Sequence, residues 1–277
     1  MSKMKTIIIA EIGENHYGQW DICRGMVEQV AAQGGTFAKF QTYTADEFGQ
    51  DHEWYDWFKR VMMPTKVHFE MQDLCASKNI GFLSSAFTLG SAAFLIDKMG
   101  LDKLKLASSR IADRELLEYV NGRADQVKTV FLSTGMATLD EVRTAVRHLN
   151  GIEHLYLLHC TSQYPTKDEN VNLRALVTLK NEFGEHGIGY SDHSRGIEAC
   201  LAAAAMGAQV LEKHFTYHTD MPGDDHAGGM TPDMLGELRR RIERIETMLG
   251  SGDKAPIEDE KLARDALRVK MHEVEYV

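Results

Sequence analysis

The stretch from residue 187 to residue 215 decides the fold, and it reads GIGYSDHSRGIEACLAAAAMGAQVLEKHF. The apolar runs at its two ends are typical of buried strands, and the alanine-rich segment between them is typical of a helix. A strand, a helix and a second strand in this order predict two adjacent parallel strands. His193 and His214 then follow at the ends of these strands, where a divalent metal ion could bind between two imidazoles.

The same alternation of strand and helix runs along the whole chain. Runs rich in Ile, Val, Leu and Phe predict eight strands, at about 6–11, 36–41, 80–85, 103–108, 128–133, 153–160, 187–191 and 208–215. The segments between and after them predict helices at 21–33, 65–78, 90–99, 113–121, 138–149, 171–183, 195–206 and 231–249. This pattern predicts an α/β fold of the closed (β/α)₈ TIM barrel type. The alternative is an open doubly wound sheet, but residues 13–18 lack the Gly-x-Gly-x-x-Gly phosphate turn that it would need.

Composition and charge narrow the class of protein. A chain of 277 residues with 43% hydrophobic residues is suited to one large domain. The formal net charge of −10 argues against binding to nucleic acid or to an acidic membrane surface. Four dispersed cysteines without a Cys-x-x-Cys pair suit a reducing compartment, and the apolar stretch 6–10 is too short for a signal peptide or a membrane span. We therefore expect a cytoplasmic protein.

Two segments lie outside the regular alternation. Residues 1–250 are predicted to form the barrel domain, and residues 251–277 a linker followed by a C-terminal helical extension of the same domain. The insertion at residues 51–58 concentrates aromatic side chains beside the predicted pocket. It is either a lid over the substrate or part of a subunit interface in a homo-oligomer.

Polar residues follow all eight predicted strands. The active sites of such barrels lie at the C-terminal ends of the strands, so these residues are expected to share one pocket. Any one of them could instead cap a helix or be a satisfied polar group of the core. The residues are Glu11, Asn15, His16, Lys39, Gln41, Ser84, Ser85, Phe87, Lys105, Ser108, Arg110, Ser133, Thr134, His159, Thr161, Ser162, Tyr164, Ser191, Asp192, His193, Glu212 and His214.

Three cationic side chains in this set, Lys39, Lys105 and Arg110, are expected to converge from neighbouring strands. Such a cluster in an acidic protein could bind phosphate or carboxylate, with hydroxyl donors from Ser85, Ser108 and Ser191. The alternative is that the lysines are paired with carboxylates at the strand ends.

The two imidazoles at the ends of the last two strands favour a metal site, with Gln41 able to face them. The alternative is a pair of hydrogen-bonded core histidines. Nitrogen and oxygen donors without a thiolate suit Mn²⁺, our first expectation, or Mg²⁺, Co²⁺ or Zn²⁺.

Several motifs together resemble one enzyme family. They are AEIGENH at 10–16, KFQT at 39–42, LSTGMAT at 132–138, LHCTSQYPT at 158–166, YSDHS at 190–194, EKHFT at 212–216 and MPGDDH at 221–226. In order and in register over residues 6–250, they are similar to the N-acetylneuraminate (sialic acid) synthase family. The resemblance implies a metal-dependent barrel enzyme that joins phosphoenolpyruvate to a sugar aldehyde. The products would be a nine-carbon 2-keto sugar acid and phosphate.

The resemblance also implies roles for individual residues. His193 and His214 match the metal ligands, and Glu11 matches the acid/base candidate of the family. The catalytic candidates are Glu11, Lys39, Gln41, Tyr164 and Asp225. The substrate-binding candidates are Ser85, Phe87, Lys105, Ser108, Arg110, Ser133, Ser162 and Ser191.

Two departures from the family pattern affect these expectations. Arg110 stands where the family usually has a glutamate, so the acceptor is expected to be anionic or differently substituted, unless Arg110 turns toward a neighbouring carboxylate. The family commonly continues into an antifreeze-like domain, whereas residues 257–277 predict a helix. A separate capping protein or a truncated chain would explain this difference. The alternative functions are a metal-dependent pyruvate aldolase or lyase, and a catalytically silent sugar-binding relative.

Overall fold

A closed barrel of eight parallel strands forms the centre of the protein in a computed structural model that describes residues 6–268. The strands are β1 (Ile7–Glu11), β2 (Phe37–Thr42), β3 (Gly81–Ala86), β4 (Lys103–Leu106), β5 (Thr129–Ser133), β6 (His154–Cys160), β7 (Gly187–Asp192) and β8 (Val210–His214). Each strand pairs with the next, and β8 pairs with β1 to close the ring. The predicted (β/α)₈ TIM barrel is confirmed.

Helices surround the barrel and connect its strands. They are α1 (Trp20–Ala32), α2 (Tyr55–Val61), α3 (Thr65–Ser77), α4 (Leu89–Ala93), α5 (Arg114–Asn121), α6 (Leu139–His148), α7 (Ala175–Glu182), α8 (Glu198–Ala205), α9 (Asp224–Ala227), α10 (Pro232–Leu249) and α11 (Glu258–Leu267). The predicted helix 90–99 is α4 followed by a π-helical turn, Phe94–Lys98. The pattern did not predict α2 or α9, which are short and lie within loops. Of the helices in the described part of the chain, none is long and apolar enough to cross a membrane.

Local sequence explains the main helices. In α1, Cys23, Met26, Val27 and Val30 recur at helical spacing, and all four are buried against the barrel. Helix α6 begins at a capping box, in which the Thr138 side chain and Glu141 satisfy each other's backbone N–H groups.

The interior of the barrel is filled below the pocket by a separate apolar layer. Its members are Ile9, Phe37, Leu83, Phe131, Leu158 and Val210. Each lies two positions before Glu11, Lys39, Ser85, Ser133, Cys160 or Glu212 on the same strand. Because strand residues two apart share a face, the apolar layer forms the floor above which the polar side chains project.

The C-terminal segment contains the predicted final helix in part. Helix α11 leaves Leu262 and Leu267 each 80% exposed, so its apolar residues are not packed on the barrel. Residues 269–277 of the predicted helix lie outside the described residues. The assignment of residues 251–277 to the barrel domain stays a prediction.

Candidate active site

A polar cavity of about 420 Å³ opens at the C-terminal ends of the strands. It is lined by Glu11, Lys39, Gln41, Ser85, Phe87, Lys105, Ala107, Ser108, Ser109, Ser133, Met136, Cys160, Ser162, Tyr164, Ser191, His193, Glu212, His214 and Asp225. Of the residues to which the resemblance gives a role, all except Arg110 line this cavity. Of the wider strand-end set, Asn15, His16, Ser84, Thr134, His159, Thr161 and Asp192 do not line it.

Four charged side chains form a buried cluster on one side of the cavity. This lysine cluster consists of Glu11, Lys39, Lys105 and Glu212. Lys39 Nζ lies 2.8 Å from Glu11 Oε2 and 3.6 Å from Glu212 Oε1, and Lys105 Nζ is also 3.6 Å from Glu212 Oε1. The structure therefore shows the alternative arrangement, in which the lysines are paired with carboxylates at the strand ends. Two ammonium and two carboxylate groups balance each other, which makes the burial of all four tolerable.

The two lysines differ in their electrostatic environment. Burial alone would lower the pKa of Lys39, but Glu11 and Glu212 outweigh it and hold the pKa above its ordinary value. Burial lowers the pKa of Lys105, because only Glu212 opposes it closely and Lys39 repels the second positive charge. The two carboxylates therefore compensate Lys39 more fully than Lys105, which makes Lys105 the better partner for an added anion.

Glu212 was predicted among the strand-end residues that share the pocket, but it was given no catalytic, substrate-binding or metal role. Glu212 precedes His214 by two residues on β8, so both side chains face the cavity. Ser191 Oγ donates to Glu212 Oε1 over 3.0 Å. Burial would raise the pKa of Glu212, but Lys105 and Lys39 outweigh it and lower the pKa, so the group is a carboxylate at neutral pH.

Hydroxyl groups surround the cluster from β3, β5 and the neighbouring loops. Lys39 Nζ donates to Ser85 Oγ over 3.2 Å, and Ser108 Oγ accepts from the Gly135 N–H over 3.0 Å. A Cβ atom on Gly135 would lie 2.6 Å from Ser162 Oγ and 2.7 Å from Ser108 Oγ. Residue 135 therefore has to be glycine if both hydroxyls are to reach the cavity.

His193 and His214 form an imidazole pair at the ends of β7 and β8, with ring centroids 5.3 Å apart. His193 Nδ1 is 2.9 Å from the carbonyl oxygen of Thr161, an acceptor only, so Nδ1 carries the proton and Nε2 keeps its lone pair. Burial lowers the pKa of both histidines to about 4, which leaves them neutral at pH 7. Neutral imidazoles are the form that binds metal ions.

Gln41 does not face the imidazole pair as expected. Its Nε2 donates to Glu11 Oε1 over 3.0 Å, because β1 and β2 are neighbours and the two side chains project side by side. Asp225, from α9, approaches the imidazole pair, with Oδ2 3.4 Å from His214 Nδ1. Burial raises the pKa of Asp225 to about 6.

Arg110 lies outside the cavity, contrary to the expectation that it converges with Lys39 and Lys105. It belongs to a short 3₁₀ turn after β4, and its Nη1 lies 3.7 Å from Asp113 Oδ2. Asp113 caps the following helix α5 and is thereby held beside Arg110. Ser109, the residue before it, lines the cavity instead.

A group of aromatic side chains forms one wall beside the cavity. Phe87 lines the cavity and packs edge-on against Tyr43, with ring centroids 6.0 Å apart. The Tyr43 hydroxyl donates to Glu14, and Trp57 Nε1 of α2 donates to the same carboxylate over 2.6 Å. Glu14 thus ties the inserted segment to the first strand–helix loop. Whether this segment is a lid or part of a subunit interface stays a prediction.

Unsatisfied polar atoms are concentrated in this cavity. Among the described side chains, two buried atoms have neither a hydrogen-bond nor an ion-pair partner, Ser133 Oγ and Glu212 Oε2, while Glu11 Oε2 meets only Lys39 Nζ and His214 Nδ1 meets only Asp225 Oδ2. The residues that carry these atoms all line the cavity. Buried polar atoms are normally paired, since leaving one unpaired costs about 1–3 kcal/mol. Their convergence marks a site where a polar ligand binds.

The imidazole pair fits a divalent metal ion with few protein ligands. Within the described residues no group of three or more His, Cys, Asp or Glu side chains is arranged to hold an ion. An ion here would therefore take two imidazoles from the protein and the rest of its ligands from substrate and water. His214 Nδ1, which has no hydrogen-bond partner and faces only Asp225, and His193 Nε2, which keeps its lone pair, are consistent with this arrangement.

Comparison with known proteins agrees with the architecture and the site. Residues 26–254 match the NeuB family. The chain is 35% identical to an N,N'-diacetyllegionaminic acid synthase of Legionella pneumophila, over 96% of this chain and 80% of that protein. It is 30% identical to a pseudaminic acid synthase of Helicobacter pylori, over 90% of this chain and 76% of that one.

Solved structures show the same relation. The N-acetylneuraminic acid (sialic acid) synthetase of Leptospira borgpetersenii, solved with citrate, is 34% identical and superposes with a TM-score of 0.88. The superposition covers 96% of this chain and 93% of that one. A truncated 3-deoxy-D-arabino-heptulosonate 7-phosphate synthase of Thermotoga maritima has a TM-score of 0.70 at 14% identity, which shows the fold alone.

The fold and the site define a (β/α)₈ barrel enzyme with a polar active site at the C-terminal ends of its strands. The chain belongs to the NeuB family and is a sialic acid synthase-like enzyme. The resemblance inferred from the sequence motifs is confirmed.

Proposed function

We propose that the protein condenses phosphoenolpyruvate with an N-acetylmannosamine-like aldose to give a nine-carbon 2-keto sugar acid and phosphate. The observation that carries this proposal is the meeting, in one cavity, of the buried lysine cluster, the imidazole pair and the unpaired atoms Ser133 Oγ and Glu212 Oε2. The carboxylate oxygens are acceptors and call for hydroxyl donors, whereas the ammonium groups of Lys39 and Lys105 call for anionic oxygens. A sugar supplies the hydroxyl donors, and phosphoenolpyruvate supplies the anionic oxygens.

The lysine cluster binds the anionic groups of phosphoenolpyruvate. Lys105 is held by Glu212 only at 3.6 Å, so its ammonium can turn toward a phosphate or carboxylate oxygen without losing a short ion pair. Hydroxyls of Ser85, Ser108 and Ser191 lie around the cluster as further donors. The positive charges then stabilise negative charge that builds up on the departing phosphate.

The imidazole pair would hold the metal ion, with Mn²⁺ as the first expectation and Mg²⁺, Co²⁺ or Zn²⁺ as alternatives. A bound divalent ion supplies Lewis-acid polarisation of the aldehyde oxygen. His193 is oriented for this role by its hydrogen bond to the Thr161 carbonyl. Tyr164 packs on the same ring, with centroids 4.2 Å apart, and limits the entry of water from that side.

Glu11 is the acid/base candidate for the condensation. Its two oxygens lie 3.0 Å from Gln41 Nε2 and 2.8 Å from Lys39 Nζ, so the carboxylate is oriented and can exchange a proton with the reacting oxygen. As the enol carbon of phosphoenolpyruvate attacks the aldehyde, the new alkoxide takes up a proton. Water then adds at the former enol carbon, and the resulting tetrahedral intermediate expels phosphate.

The position of Arg110 favours an uncharged acceptor. The two cations that line the cavity are Lys39 and Lys105, which the proposal assigns to phosphoenolpyruvate, and Arg110 is paired with Asp113 outside. Phe87 and Tyr164 instead provide aromatic surfaces suited to a neutral sugar. A plain N-acetylated hexose is therefore preferred over its 6-phosphate.

The direct test is incubation of the protein with phosphoenolpyruvate, Mn²⁺ and a panel of aldoses, with and without a chelator. We expect phosphate release and a product mass equal to aldose plus the three-carbon keto acid unit, both lost with chelator. Product formation from pyruvate without phosphate release would instead identify an aldolase. Sugar binding without turnover on any donor would identify a silent relative.

A further inference from the structure

A second buried ion pair lies directly behind the imidazole pair, on the outer face of the barrel. On β7 and β8 the residues alternate, so Ser191 and Glu212 face the cavity while Asp192 and Lys213 face the helices. Asp192 and Lys213 are register partners on adjacent strands, and Lys213 Nζ lies 2.6 Å from Asp192 Oδ2. Both side chains are at most 1% exposed.

Every hydrogen-bonding group in the described chain around this pair is satisfied. Asp192 Oδ1 accepts from the Tyr190 hydroxyl at 2.9 Å and from the Ser194 N–H and hydroxyl at 2.8 and 2.7 Å. Lys213 Nζ also donates to the Ser194 carbonyl over 2.6 Å. The Cys200 thiol of α8 lies 3.4 Å from Asp192 Oδ2.

These contacts bracket both imidazoles. Lys213 bonds to Asp192 and to Ser194, the residues immediately before and after His193. Lys213 itself immediately precedes His214. A shift of β7 against β8, or a rotation of the backbone at residue 193, would therefore break short buried bonds at once.

We infer that the Asp192–Lys213 pair is a positioning device that fixes the distance and orientation of His193 and His214. The inference rests on the proposed function, in which these two imidazoles hold the metal ion. A buried ion pair is weak evidence for stability, since apolar replacements of similar volume are often as stable, and its best-attested use is to specify register. Its location here puts that register at the metal-binding end of the strands.

The decisive variant is the double substitution Asp192→Asn with Lys213→Met. It removes both charges together, leaves no unpaired buried ion and preserves side-chain volume, so we expect thermal unfolding close to that of the wild type. We expect the dissociation constant for Mn²⁺, measured by calorimetry without substrate, to rise by about 10–100-fold, as for other groups that orient metal ligands. An unchanged dissociation constant would overturn the inference.

A milder pair of variants covers the case in which the double substitution does not fold. Tyr190→Phe removes one donor to Asp192, and Tyr156→Phe is the matched control on β6, outside this network. We expect a several-fold weaker Mn²⁺ affinity in Tyr190→Phe and an unchanged Mn²⁺ affinity in Tyr156→Phe. Equal affinities in the two variants would count against a positioning role.

A metal-free measurement separates this inference from the proposed function. Imidazole nitrogen resonances of His193 and His214 are expected to shift in the Asp192 and Tyr190 variants and to stay unchanged in Tyr156→Phe. If the wild type does not bind Mn²⁺, the metal assignment fails. If the imidazole resonances of the metal-free protein are identical in the wild type and all variants, the positioning inference fails, whether or not the wild type binds Mn²⁺.

Discussion

The lysine cluster and the Asp192–Lys213 pair are both buried sets of opposite charges, yet they are built in opposite ways. Behind the barrel, the ammonium–carboxylate distance is 2.6 Å and every oxygen of Asp192 accepts hydrogen bonds. In the cavity, Lys39 has one short ion pair, 2.8 Å to Glu11 Oε2, but Lys39 and Lys105 each lie 3.6 Å from Glu212 Oε1, and Glu212 Oε2 has no hydrogen-bond partner. The first arrangement is complete without a ligand, whereas the second gains bonds when a ligand arrives.

The difference teaches how to separate structural charges from functional ones. A completely bonded ion pair resists rearrangement, because every alternative leaves a buried group unpaired. A cluster with an unpaired carboxylate oxygen is costly by itself, and a ligand that completes its bonds, as the proposed substrates would, removes that cost. Burial alone does not distinguish the two, since all these side chains are nearly inaccessible.

The largest expected effect follows from removing one member of the imidazole pair in the cavity. His214→Ala should abolish phosphate release even in excess Mn²⁺, because it removes one of the two imidazoles proposed to hold the ion. The matched control is His218→Ala, an exposed histidine four residues further along. Phosphate release above about a tenth of the wild-type rate would remove His214 from the ligand set, given the usual size of metal-ligand effects.

A second substitution separates the two sides of the cavity. Lys105→Met should lower kcat/KM for phosphoenolpyruvate by about 100-fold, or about 3 kcal/mol, as expected for loss of a charge-assisted bond. Calorimetry should show Mn²⁺ affinity nearly unchanged, because Lys105 contacts neither imidazole. Lys103→Met on the same strand is the control, since Lys103 pairs with Asp102 near the surface. An unchanged KM for phosphoenolpyruvate in Lys105→Met would contradict the assignment.

A third variant tests whether Glu14 in the aromatic wall is a structural group, like the fully hydrogen-bonded Asp192–Lys213 pair, or a ligand-binding group, like the lysine cluster. Glu14→Met removes both acceptor oxygens, so the Trp57 N–H and the Tyr43 hydroxyl each lose their hydrogen bond to this side chain. We expect about 1–3 kcal/mol lower stability in chemical unfolding and a several-fold higher KM for the sugar. Asp46→Asn is the control, an exposed carboxylate that accepts from Tyr55 on the same segment. Equal stabilities of the two variants would show that Glu14 is not a structural anchor.

The smallest expected effect concerns the charge that the structure leaves outside the cavity. Arg110→Ala should change kcat/KM by less than about twofold for both a hexosamine and its 6-phosphate, because a surface ion pair contributes about 0–1 kcal/mol. The measurement is the ratio of the two kcat/KM values in wild type and variant. A selective loss with the 6-phosphate would mean that Arg110 turns inward and binds an anionic acceptor.

Much of the site could be predicted because strand periodicity is a local property. Lys39 and Gln41, or Glu212 and His214, lie two apart and therefore face the same side of their strands, and the order of strands in a parallel barrel follows the chain. The same rule placed Glu212 in the pocket, but its ion pairs with Lys39 and Lys105, which give it a role, cross between strands. The short helices α2 and α9 were missed because they are too brief for a helical period to be recognised.

The sequence by itself determined the number of strands, their parallel order and the faces on which their polar residues lie, since each depends on apolar spacing along one segment. Only the tertiary structure decided which groups pair. It joined Gln41 to Glu11, Arg110 to Asp113, and both Lys39 and Lys105 to Glu212. Those partners are chosen by distances and rotamers across separate strands once the ring closes, and no pattern within a single segment contains that information.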